Sequence, residues 1–144
     1  VKTVYAATTS VPIDRSQAEI KKILTKYGAT AFGFAEAGGR ALVQFEINER
    51  RIQFKLPLPP QPSQNATQAS IKTYEQLCRS RWRALCLGIK AKLECVHSQI
   101  TTLEQEFMAH IVLPNGATVG DVMIPQIAMS YEKNEMPPLI GMRT

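Results

Sequence analysis

"RALVQFEINERRIQFKLPL", residues 40–58, alternates twice. Ala41, Val43, Phe45 and Ile47 fall on one side of an extended chain. Ile52, Phe54, Leu56 and Leu58 fall on one side of the next, with Arg51, Gln53 and Lys55 opposite. A period of two belongs to strands, so each run predicts a strand with one buried face. Asn48-Glu49 between them is a two-residue connection, the length that antiparallel hairpins use. Just upstream, "ATAFGFAEAGG", residues 29–39, ends in Gly38-Gly39, a second tight turn, and supplies a third strand. The segment therefore predicts a three-stranded antiparallel meander with one face on a core.

Working outward from it, "VKTVYAATT", residues 1–9, is rich in β-branched residues and reads as a further strand that Pro12 ends. Ser16 and Glu19 have capping-box spacing. Ile20, Ile23, Leu24 and Tyr27 then recur at helical intervals until Gly28, predicting a helix over roughly 15–27. After the meander, residues 57–70, "PLPPQPSQNATQAS", hold four prolines and form a flexible crossover. A long helix follows over about 71–98, then a helix start at Thr101 or Thr102, paired with Glu104 or Gln105. "LPNGATVG" turns the chain, and a last helical stretch over about 119–132 contains Pro125, which predicts a kink or a helix start. "EMPPLIGM" reads as an irregular tail. The expected architecture is a single α+β domain over 1–144. It has a mainly antiparallel four-stranded sheet (strand, helix, meander) in 1–58, a crossover at 59–70 and a helical part in 71–144, with the long C-terminal helix and further helices packed on the sheet.

At 144 residues, 44% hydrophobic and 20% charged, the composition is that of a water-soluble domain with its own core, and no apolar run is long enough to span a bilayer. The N-terminus shows no basic patch followed by an apolar stretch, so the expected location is cytoplasmic, with no membrane partner. Cys78, Cys86 and Cys95 lie on one predicted helix, where they cannot pair with one another, and read as core or boundary residues. The formal net charge of +5 favours anionic partners.

The charge is patterned. "RSRWRALCLGIKAKLECV", residues 79–96, holds five of the seventeen lysines and arginines. At 100° per residue, Ile71, Tyr74, Cys78, Trp82, Leu85, Ile89, Leu93 and Val96 share a broad apolar face. Lys72, Arg79, Arg83 and Lys90 form a stripe to one side, and Arg81 and Lys92 flank the other edge. Like charges four and seven residues apart repel by a few tenths of a kcal/mol for each neighbouring pair unless an anion neutralises them. Arg51 and Lys55 add cations on the outward face of the sheet. The competing reading is a solvated flank whose stems cover apolar surface.

No catalytic motif appears: no phosphate loop, nucleophile elbow or paired-cysteine zinc spacing. Glu94 with His97, and Glu106 with His110, sit at helix-face spacings, but a dinuclear site needs further inward carboxylates, so they read as surface pairs. No enzyme activity, cofactor or metal is expected.

The stretches "VPIDRSQAEIKKILTKYGATAFGF", "RIQFKLPLP", "RSRWRALCLGIKAKLECV" and "LPNGATVGDVMIPQI" resemble a group of small uncharacterised proteins of tailed bacteriophages and prophages. The order meander, crossover, long basic helix is also similar to the core of Rad52-like single-strand annealing proteins, whose DNA lies along a basic groove beside sheet and helix. What the resemblance implies is a non-enzymatic protein that binds nucleic acid, single-stranded DNA above all, in phage replication or recombination, as a possible homo-oligomer. The candidate phosphate contacts are Arg79, Arg83 and Lys90, extended by Lys72, Arg51 and Lys55. The alternative is a protein-interaction module that binds or inhibits a host protein through a methionine-rich tail: Met123, Met129, Met136 and Met142.

Overall fold

The computed structural model describes residues 5–137 and has an α+β architecture. Helix α1 (Ile13–Lys26) leads into strands β1 (Ala31–Ala37), β2 (Arg40–Ile47) and β3 (Arg50–Pro57). Helices α2 (Gln68–His97), α3 (Leu103–Phe107) and α4 (Val119–Lys133) follow. The strands pair in the order β1-β2-β3, antiparallel throughout.

Both hairpins close with two-residue turns, since Ala37 pairs with Arg40 and Ile47 with Arg50. Such turns suit the strand twist when both central residues have positive φ. Gly38 and Gly39 reach 59° and 77° freely, whereas Asn48 and Glu49 do so at 48° and 61° with side chains present. The predicted alternation holds: Ala41, Val43, Phe45, Ile47, Ile52 and Phe54 are buried on one face.

That face is covered by α2. Trp82 is fully buried, with its ring edge-on to Phe34 at 5.3 Å, and Cys86, Ile89 and Leu93 continue the seam. Leu103 and Phe107 of α3 close one end, Phe107 packing edge-on to Phe45 at 5.8 Å. Ile20, Ile23 and Leu24 of α1 complete the core.

The structure corrects three expectations. No fourth strand is present among the described residues: Tyr5–Thr8 is a 3-10 turn against α2, and residues 1–4 of the expected strand lie outside the described ones. Gln76 fixes this segment by donating to the carbonyls of Thr9 (2.8 Å) and Ala7 (3.1 Å), which takes those backbone groups away from any ladder. The long helix is central, in the chain and in the core, with two further helices after it. Ser16 does not cap α1. The helix begins at Ile13, with the extended Pro12 at the N-cap position; the Ser16 amide donates to the Pro12 carbonyl at 3.1 Å, and the Ser16 side chain is buried inside the helix. At α3 the capping box is Thr102 with Gln105.

A basic groove between two parallel helices

Three contacts set the relation of α1 to α2. Thr9 meets Gln76, Glu19 meets Arg83, and Tyr27 meets His97 ring to ring at 5.6 Å. Sequence number rises together in all three, so the two helices run in the same direction side by side.

Their adjoining faces are cationic. Arg15, Glu19, Lys22 and Lys26 recur at intervals of four, three and four along α1, which keeps them in one stripe. Arg83 and Lys90, seven residues apart, do the same on α2. The two stripes border an open groove of about 620 Å³ whose floor includes Val11, Ala18 and Ile23. Five cations face it, Arg15, Lys22, Lys26, Arg83 and Lys90, against the one carboxylate of Glu19. From Arg15 to Lys26 the helix rises roughly 16 Å, room for several successive phosphates.

Arg83 and Glu19 form a partly buried ion pair that bridges the helices. The Arg83 hydrogen bond, with the charges of Arg83, Lys90 and Arg15, holds the Glu19 carboxyl below its ordinary value, although burial pulls the other way. Beneath the pair, burial and the Glu19 charge push the Cys86 thiol up to about 11, so it stays protonated and unreactive near neutral pH. This pair holds the groove together. Arg15, Lys22, Lys26 and Lys90 are its exposed cations.

The candidate residues read from the sequence are thus redistributed. Arg83 and Lys90 are in the groove, though Arg83 is committed to Glu19. Arg79 is half-buried and donates to Gln76 at 2.7 and 3.2 Å, bracing the N-terminal segment. Lys72 is exposed on the same stripe, three turns before Arg83. Arg51 and Lys55 lie on the opposite face of the sheet, against Glu46 (3.7 Å) and Asp121 (3.2 Å), so they do not extend the groove. Arg81 donates to the carbonyl of Pro57, and Lys92 to that of Glu106. The reading from sequence missed Arg15, Lys22 and Lys26, whose stripe was visible in the spacing.

Compared with protein-family models, curated proteins and solved structures, the chain matches none. The site therefore rests on its own geometry.

The His/Glu pairs take other roles. His97 packs on Tyr27, and His110 stacks on Phe54 at 4.0 Å. Burial and the Lys92 charge hold His110 below its ordinary value, against a backbone hydrogen bond involving Gln53. Glu106 lies 4.0 Å from Lys92. Among the described residues no group of three or more His, Cys, Asp or Glu is placed to hold a metal ion, and no helix is long and apolar enough to cross a membrane.

Proposed function

We propose that this chain binds nucleic acid without catalysing a reaction on it, and that the α1–α2 groove holds the phosphate backbone. One observation carries the reading: two parallel helices turn five cations and one carboxylate into the same open groove. Lysines at positions 22 and 26 repel along α1, and a polyanion in the groove relieves that repulsion while releasing its own counterions. The apolar floor offers the sugars and bases of a single strand a surface that a duplex, with its bases turned inward, cannot use. Single-stranded DNA in phage replication or recombination is the occupant that the resemblance implies.

The test is fluorescence polarisation of labelled single-stranded DNA, duplex DNA and RNA at 50 and 200 mM salt. With four exposed cations engaged, affinity for a single strand is expected to fall about fifty-fold over that range. The variant Lys22→Glu/Lys26→Glu/Lys90→Glu changes only exposed side chains and is expected to lose at least a hundredfold at 50 mM with its melting temperature nearly unchanged. Wild-type affinity in that variant would falsify the groove as the binding surface. Arg83→Glu is a poor probe, since it sets two carboxylates against each other at a partly buried position.

A further inference from the structure

We infer that a cavity beside the N-terminal half of α2 binds a small aromatic amine, whose oxygen accepts from the Trp82 indole N–H and whose ammonium meets the carboxylates at the mouth. The inference is independent of the groove, since among the described residues none lines both. The cavity, of about 320 Å³, opens between the start of α1, the end of β1 and the first half of α2. Ile13, Leu58 and Cys78 supply apolar wall, and Trp82, fully buried, lies at its floor. Such a volume is at the lower end for small-molecule sites, which hold an apolar body and fix it with a few polar groups.

Two observations select the ligand. The first is an orphan donor. The Trp82 Nε1–H is buried and finds no acceptor in the protein, a state that native cores rarely leave unexplained. A helical side chain leans toward the N-terminus of its helix, over the residues three and four before it. For Trp82 those are Arg79 and Cys78, both in the cavity wall, so the indole is turned toward the cavity and its N–H suits a ligand oxygen. The second is charge. Asp14, Glu36 and Glu75 line the same cavity and are exposed, which puts them at its mouth. Among the described residues none of the three is in an ion pair. The cation in the wall, Arg79, is held by Gln76 at 2.7 and 3.2 Å. In a chain of net charge +5 this is a local excess of negative charge, which an ammonium ion fits, and the half-buried Tyr74 adds an aromatic ring that also attracts cations. α2 rises roughly 10 Å from Trp82 to Glu75, and the indole leans back along that span, which leaves room for one ring and a two-carbon arm between donor and acids.

The chain has one tryptophan, so nitrogen-labelled protein gives one indole N–H resonance that reports on the cavity floor. Titration with tyramine is expected to shift that resonance saturably, with a Kd below about 1 mM. Phenethylamine, which lacks the oxygen, is expected to bind about tenfold more weakly. Hydroxyphenylpropionate, the same body with its charge reversed, is expected not to bind. Glu36→Gln/Glu75→Gln changes only exposed side chains and should weaken tyramine at least tenfold with the melting temperature nearly unchanged. No shift with tyramine at about 10 mM overturns the proposal. So does equal affinity for phenethylamine or for hydroxyphenylpropionate, both read on the wild-type chain, or wild-type affinity in the double variant.

Discussion

α2 and α4 are both apolar-rich helices, and the fold uses them in opposite ways. α2 lays Trp82, Cys86, Ile89 and Leu93 against the sheet and keeps its cations on the flank. α4 has few charges to keep in water and leaves its apolar stripe there instead, anchored by Gly120 and by the Lys55–Asp121 pair. Hydrophobicity made both helices; position relative to the sheet decided which was buried. Each helix leaves one face uncovered, a basic one on α2 and an apolar one on α4.

The sharpest break of this contrast is truncation. Trp82→Ala should cost about 3–5 kcal/mol in denaturant unfolding, whereas Ile127→Ala should cost under about 0.5. A Trp82 variant losing less than 1 kcal/mol would show that α2 is not the core helix.

The free faces separate by charge. Lys90→Glu should weaken single-strand binding by about tenfold and lower the salt slope by about 0.7 for the lost contact. Lys133→Glu on α4 and Arg51→Glu on the outer sheet face should both leave binding within twofold. An equal loss for Arg51→Glu would move the nucleic acid to the sheet.

Acid should loosen the base of α4 ahead of α2. His110 stacks on Phe54 beside the segment that joins β3, where the Val112 amide donates to the Arg51 carbonyl at 2.8 Å. Its folded value lies below the ordinary 6.5, so the unfolded chain binds the proton more readily. The stabilisation is complete above pH 6.5 and is lost as pH falls through the lowered folded value. Hydrogen exchange should show α4 amides losing protection over that window while α2 amides hold, and His110→Phe should remove the difference.

The smallest effect sharpens the sheet on which α2 rests. Glu49 holds φ at 61° in the β2–β3 turn, a conformation that favours glycine. Glu49→Gly should raise stability by about 0.5–1 kcal/mol and be read equally in the sheet and in α2.

Much of this was legible along the chain. The period-two runs at 41–47 and 52–58 located β2, β3 and their buried face, because side-chain alternation follows from strand geometry alone. The apolar face of α2 was legible too, although Cys86 was absent from it: a small side chain at the edge of a helical wheel is buried only when something packs there. The N-terminal strand misled because propensity in "VKTVYAATT" says nothing about Gln76, 67 residues beyond Thr9, which claims the carbonyls of that segment. Of the expected methionine tail, Met129 and Met136 are exposed and Met123 is half-buried; Met142 lies outside the described residues.

The basic site shows the same division. Each cationic stripe was present in the spacing, 15-22-26 on one helix and 83-90 on the other, since charge and helical period are local. Which stripes would meet was not. Arg51 and Lys55 were removed from the site by a sheet in between, and Arg15, Lys22 and Lys26 were brought into it by two helices running in parallel. By itself the sequence determined which residues share a face, through the 2.0 and 3.6 periods of its backbone. The tertiary structure decided which faces confront each other, because the ion pairs and packing that do so join residues far apart in the chain.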